Sequence, residues 1–87
     1  MRELTATIKT ETGLHARPAA ALVNSVATFK SQVTIIKEGQ EANLKSILSL
    51  LSLGVEQHDT ITIKIEGKDE DQVIAAINQA AAELGLW

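Results

Sequence analysis

Cysteine and tyrosine are absent from this chain, and Phe29 and Trp87 are its only aromatic residues. Without cysteine there is neither a disulfide framework nor a thiolate metal site, a composition that leans toward a reducing compartment. No stretch approaches the roughly 18 consecutive apolar residues of a membrane-spanning helix. The start, Met1-Arg2-Glu3-Leu4-Thr5, has no apolar run behind its positive charge and predicts no secretory signal. Lysine and arginine form no cluster and stacking aromatics are scarce, so nucleic acid has neither its phosphate contacts nor its platforms. Two histidines, His15 and His58, fall short of the protein ligands that a catalytic zinc requires. No glycine-rich phosphate loop and no Ser-His-Asp ordering stands in the chain. The expectation is no metal, no cofactor, no nucleic-acid partner and no membrane insertion.

What remains is enough for one small domain. In a chain of 87 residues, only roughly 60–65% of the unfolded surface can be buried, so the core is thin. A hydrophobic share of 45% is ordinary for a globular domain, and 22% charged residues is too few for a disordered chain. The net charge of −3 hides an asymmetry, with +2 over residues 1–45 and −5 over residues 46–87.

Leu4, Ala6 and Ile8 alternate with Thr5 and Thr7, the pattern of a strand with one buried face. The loop Thr10-Glu11-Thr12-Gly13 ends it. From Ala16 the period changes, and Ala19, Leu22, Val23, Val26 and Ala27 recur at helical spacing, closing near Phe29. Val33-Thr34-Ile35-Ile36 reads as a second strand, and Glu38-Gly39-Gln40 as a turn into a short partner around Glu41-Ala42. Leu44 to Leu53 forms a short helical segment ended by Gly54. Thr60-Ile61-Thr62-Ile63-Lys64-Ile65 alternates strictly and is a fourth strand. Gly67-Lys68 turns, Asp69 with Gln72 matches a capping box, and Val73, Ile74, Ile77, Ala81 and Leu84 line a last helix. The order β-α-β-β-α-β-α predicts an α+β fold. Its antiparallel four-stranded sheet is covered on one face by three helices, with Thr5, Thr7, Thr62 and Lys64 open to water.

The chemistry concentrates in Thr12-Gly13-Leu14-His15-Ala16-Arg17-Pro18-Ala19-Ala20. Gly13 permits a turn, and Pro18 belongs in a first helical turn, where its missing N–H is not needed. His15 therefore sits at or near the N-cap, with Arg17 just inside. Unpaired N–H groups and the positive end of the helix dipole form a cradle for an anion there, and Arg17 adds a guanidinium. A nucleophilic imidazole, an anion cradle and a charge partner lie within four residues. A lone histidine at a helix start is also commonly a cap or a solvated surface residue, and spacing alone does not exclude that. His58, in Gln57-His58-Asp59, reads as a solvated loop residue.

The chain resembles the HPr family, the histidine-containing phosphocarriers of the bacterial phosphoenolpyruvate-dependent sugar phosphotransferase system. Gly13-Leu14-His15-Ala16-Arg17-Pro18-Ala19 is similar to that family's active-site motif. Asn43-Leu44-Lys45-Ser46-Ile47 through Ser52-Leu53-Gly54 is similar to its regulatory-serine segment, and the element order matches along the whole length. The resemblance implies a cytoplasmic carrier, not an enzyme. It would take a phosphoryl group on His15 Nδ1 from phospho-enzyme I and pass it to the IIA domains of sugar permeases. Arg17 and the backbone of Ala16 and Arg17 would hold the phosphate, and Thr12 and Ala20 would flank the docking face.

The second helix is apolar nearly all round. Spacing and resemblance together assign Leu44, Leu50 and Leu53 inward, leaving Ile47, Leu48 and Leu51 as an exposed patch for partners. The competing reading places all six in the core. Ser46 stands at the N-cap position, and capping alone explains a serine there. The resemblance implies more, namely phosphorylation of Ser46 by an HPr kinase/phosphorylase and a transcriptional regulator as partner in catabolite repression. Three readings therefore stand side by side: a phosphoryl relay through His15, a regulatory binding module acting through Ser46, and an α+β domain in which His15 is only a cap. Leu48 and Leu51 stand where many members carry Met, Ser49 where Gly is frequent, and Ala20 where Thr is common. These departures leave partner preference open.

Overall fold

The computed structural model describes residues 1–87 and contains the seven elements in the expected order. They are β1 (Arg2–Thr7), α1 (Ala16–Val26), β2 (Gln32–Lys37), β3 (Gln40–Asn43), α2 (Ile47–Leu53), β4 (Thr60–Glu66) and α3 (Glu70–Leu84). The strands form one sheet in the order β1-β4-β2-β3, every pair antiparallel. β4, last in sequence, lies between β1 and β2, with Leu4 opposite Ile63 and Val33 opposite Ile65.

The period-two alternation decides which face is dry. Ile61, Ile63 and Ile65 of β4 and Val33 and Ile35 of β2 point inward and are buried. They meet Ala19, Leu22 and Val26 from α1, Leu50 and Leu53 from α2, and Val73, Ile77 and Ala81 from α3. Each large side chain withdrawn from water in this way contributes roughly 1.5–3 kcal/mol before the entropy of ordering it is charged. The outer face carries threonines whose hydroxyls meet across β1 and β4, Thr5 with Thr62 at 3.4 Å and Thr7 with Thr60 at 3.2 Å.

Three details depart from the sequence reading. Helix α2 begins at Ile47, not Leu44. The Ser46 N–H donates to the Asn43 carbonyl at 3.0 Å, so residues 43–46 form a turn that drops Leu44 into the core ahead of the helix. The capping box at α3 does not form, because Asp69 caps nothing with its side chain. Its carboxylate instead accepts from the Lys30 and Ser31 N–H groups at 2.8 and 2.9 Å and from the Ser31 hydroxyl, joining the start of α3 to the start of β2. The hairpin turn between β2 and β3 is the pair Glu38-Gly39, both at positive φ, with Gln40 already in the strand.

The C-terminus is anchored. The Leu86 N–H bonds to the Ala81 carbonyl at 2.9 Å, which folds the chain back at Gly85 and seats Leu86 fully in the core. Its carbonyl then accepts from the Lys9 N–H at 2.7 Å, on the chain that leads toward His15. Trp87, whose role the sequence leaves open, is half-buried against the same core.

Candidate functional site

The chain leaves the sheet after Ile8 and turns at Thr10–Gly13, where the Gly13 N–H meets the Thr10 carbonyl at 3.1 Å and the Thr10 hydroxyl bonds the Gly13 carbonyl at 3.2 Å. Gly13 has φ +63, and a Cβ there would lie 2.4 Å from the Val55 carbonyl oxygen and 2.7 Å from the Glu56 Cα. Glycine is required on both counts, the left-handed backbone and the close approach. The next N–H, that of Leu14, donates to the Val55 carbonyl at 3.0 Å.

His15 follows as the N-cap of α1, with extended backbone at φ −82 and ψ −173. Its carbonyl opens the helix by accepting from the Ala19 N–H at 3.0 Å, and its imidazole makes no capping bond. The ring is exposed, as are Ala16 and Arg17. On either side the chain is pinned, with Leu14 buried before them and Pro18 and Ala19 after. Three exposed residues are thus held between two buried anchors, so the site is surface-accessible yet positioned.

Nothing within the chain bonds to the Ala16 and Arg17 N–H groups, and Pro18 has none to offer. These are the orphan amides of a helix start, facing outward with the positive end of the dipole. Arg17 enters no salt bridge, which leaves a free guanidinium one residue inside the helix. The arrangement suits an anion placed on or beside the His15 ring. The hollows of the surface lie elsewhere, one of about 350 Å³ along the outer β2–β3 edge between Lys30 and Lys45. Others lie between β3 and α2 and at the start of α3. His15 is exposed and lines none of these hollows, so it is open to contact by another molecule.

Helix α2 packs against α1 and presents two faces. Leu50 and Leu53 are buried, whereas Leu48 is 76% exposed and Ile47 and Leu51 are 38% and 36% exposed. A seven-residue helix lying on a sheet has only one side to bury, which is why the all-core alternative fails here. Thr12 is exposed in the loop before His15, and Ala20 is half-buried on α1. Ser46 caps α2, its hydroxyl accepting from the Ser49 N–H at 3.3 Å. His58 is exposed in the loop before β4, at φ +74.

Sequence reasoning missed the partner of the site loop. Nothing local in Gly54-Val55-Glu56 marks it as the backbone on which Gly13 and Leu14 rest. The signal available was Gly13 itself, since an obligatory glycine marks either a turn or a close approach, and here it is both. Also missed was the pair Lys37–Asp59 at 2.9 Å, which brackets that segment.

A family model described as the PTS HPr component phosphorylation site matches residues 2–83. The phosphocarrier protein HPr of Mycoplasma genitalium is 45% identical over 78 residues, spanning 88% of this chain and 89% of the relative. Among solved structures, a mycoplasma histidine-containing phosphocarrier protein superposes with a TM-score of 0.95 at 38% identity, covering 98% of this chain and 97% of that one. The Bacillus subtilis catabolite repression protein Crh, described as a domain-swapped dimer, matches with a TM-score of 0.73 at 34% identity over 95% of each chain.

Proposed function

This chain belongs to the HPr family of phosphocarrier proteins, and we propose that His15 is the group that carries the phosphoryl in it. The observation that carries this reading is the exposed imidazole at the N-cap of α1, beside two unoccupied amides and an unpaired guanidinium. In the proposed reaction His15 Nδ1 attacks the phosphorus of phospho-enzyme I. A P–N bond forms as the bond to the donor breaks, and the ring proton leaves to solvent. The Ala16 and Arg17 N–H groups and the Arg17 side chain receive the added negative charge. The acceptor nitrogen of a IIA domain then takes the phosphoryl group by the same displacement in reverse.

Such transfer depends chiefly on placing donor and acceptor in line, and the partners supply part of that placement. Ile47, Leu48 and Leu51, with Thr12 and Ala20, serve as the docking surface; the exposure of the first four and the half-exposure of Ala20, on and around two packed helices, support this. The test is incubation with phosphoenolpyruvate and enzyme I. An acid-labile, base-stable phosphate is expected on the wild-type chain and absent from His15→Ala. A wild-type chain that stays unmodified ends the relay reading.

Ser46 supports a second, compatible role. It already stands at a helix N-cap, where a phosphate would be stabilised by the amides and would not unwind α2. The effect of phosphorylation by a serine kinase is then a charge at the edge of the docking surface, weakening engagement with enzyme I and favouring a transcriptional regulator. The structural likeness to Crh is in keeping with that role. Ser46→Asp is expected to slow phosphoryl uptake from enzyme I while leaving helical content unchanged. Uptake at the wild-type rate would remove this reading and leave the relay intact.

A further inference from the structure

The six residues between α2 and β4 carry the site loop from both sides. On one flank the Val55 carbonyl takes the Leu14 N–H at 3.0 Å, one residue before His15. On the other, the Ile8 N–H donates to the Asp59 carbonyl at 2.9 Å, the His58 N–H to the Ile8 carbonyl at 2.8 Å, and Gln57 Nε2 to the Lys9 carbonyl at 3.0 Å. The loop through Gly13 therefore hangs from residues 54–59 at both ends. That segment is neither helix nor strand, and Val55 is its only buried member.

One ammonium and one carboxylate hold it. Lys37 Nζ, from the end of β2, donates to the Gly54 carbonyl at 2.7 Å and pairs with Asp59 Oδ2 at 2.9 Å. The same Asp59 oxygen accepts the Glu56 N–H at 2.8 Å. The side chains of this pair are 16% and 24% exposed, against 49% and 78% for Arg2–Asp71, so it is better shielded from water than an ordinary surface pair. The Glu56 N–H and then the Lys37 ammonium hold the Asp59 carboxyl below its usual range, and the bond to Asp59 pushes the Lys37 ammonium up. Each partner is thus charged near neutrality, and the clasp is closed.

We infer that Lys37 and Asp59 are positioning residues for phosphoryl transfer at His15, acting through the backbone of residues 54–59; the inference rests on His15 being the acceptor. With the clasp open, the Gly54 and Glu56 backbone on either side of Val55 loses its side-chain ties, and the Val55 carbonyl and the Leu14 N–H bonded to it are held less tightly, by burial and the remaining backbone bonds. His15 is the next residue and has no capping bond of its own to hold it. In-line displacement is steep in position, with a misplacement of about 1 Å costing about 100-fold, so even a partial shift is visible in rate. Ile47, Leu48 and Leu51 lie on α2 outside the loosened loop, and of the docking residues only Thr12 lies within it, so KM should change less than kcat.

The experiment compares Lys37→Met, Asp59→Ala and the conservative Lys37→Arg with wild type. Amide hydrogen exchange is measured by NMR, together with kcat and KM of enzyme I for each chain as phosphoryl acceptor. In the Met and Ala variants, exchange at the Leu14 N–H is expected to speed up at least tenfold (of order, for a freed amide) while Ile35 and Ile63 stay protected. The expected kcat falls by about five- to twentyfold with KM within about twofold, and Lys37→Arg restores both. Unchanged Leu14 exchange overturns the inference, and so does a loosened Leu14 with wild-type kcat, or a loss seen in KM alone. Should Asp59→Ala fail to fold, Lys37→Met decides. If even wild type takes no phosphoryl group, the His15 assignment falls and this inference with it, a result distinguished by the wild-type arm.

Discussion

Replacing Gly13 with alanine tests the link between backbone geometry and phosphoryl transfer most directly. The new Cβ would stand 2.4 Å from the Val55 carbonyl oxygen, where ordinary contacts begin at 3.4 Å, so one of the two backbones must retreat by about 1 Å. Neither neighbour is a flexible side chain that could swing away, since the nearest atoms are all main chain. Alanine at φ +63 costs roughly 1–2 kcal/mol in itself. Pushing the Val55 carbonyl off the Leu14 N–H adds about 1–3 kcal/mol if that amide is left unpaired. The expected destabilisation is therefore roughly 2–5 kcal/mol, read as a lower urea midpoint at unchanged slope. Because the displaced backbone adjoins His15, phosphoryl uptake by the still-folded fraction should fall by up to about 100-fold. Circular dichroism in urea gives the first number, and enzyme I-dependent phosphorylation below the midpoint gives the second. A variant with wild-type midpoint and wild-type uptake would refute the claim that residues 54–56 support the site.

Leu50→Ala empties a fully buried position beneath α2 and should cost roughly 2–5 kcal/mol by urea unfolding, with the His15 loop otherwise competent. Leu48→Asp alters a side chain that is 76% exposed, so stability should stay within about 0.5 kcal/mol while KM for enzyme I rises, separating docking from folding. The Ser31 hydroxyl, followed by the Lys30 N–H, holds the Asp69 carboxyl below its usual range. Its stabilising contribution is accordingly full above the ordinary aspartate pKa of about 3.9 and is lost as pH falls through the lower native value. Midpoints measured down that acid range should drop more steeply for wild type than for Asp69→Asn, and parallel curves would show that this joint is energetically silent.

Much of the molecule is legible because its signals are local. Period two in Thr60–Ile65 and the helical recurrence of Ala19, Leu22 and Val26 each depend on a single element turning toward one dry layer, and both elements are where those patterns put them. The same holds at His15. Pro18 needs a first helical turn, and with the helical period that begins at Ala16 this sets the imidazole at or near the N-cap, whichever elements pack nearby. The exposed face of α2 follows from its composition, since a helix apolar all round and lying on a sheet must leave some of its leucines outside.

Asp69 and Gln72 show where local reading ends. Their spacing fits a capping box, yet the carboxylate reaches Ser31, 38 positions away, because the fold brings three donors to it there. The insertion of β4 between β1 and β2, the rest that Val55 provides for Leu14, and the Lys37–Asp59 clasp are of the same kind. Taken alone, the amino-acid order determined the sequence of elements, which face of each is dry and that His15 stands at the start of α1, since periodicity and capping act within a turn or two of the chain. Tertiary structure alone decided which distant backbone the loop before His15 rests on, because hydrogen bonds between distant segments leave no periodic trace and exist only once the core has brought the segments together.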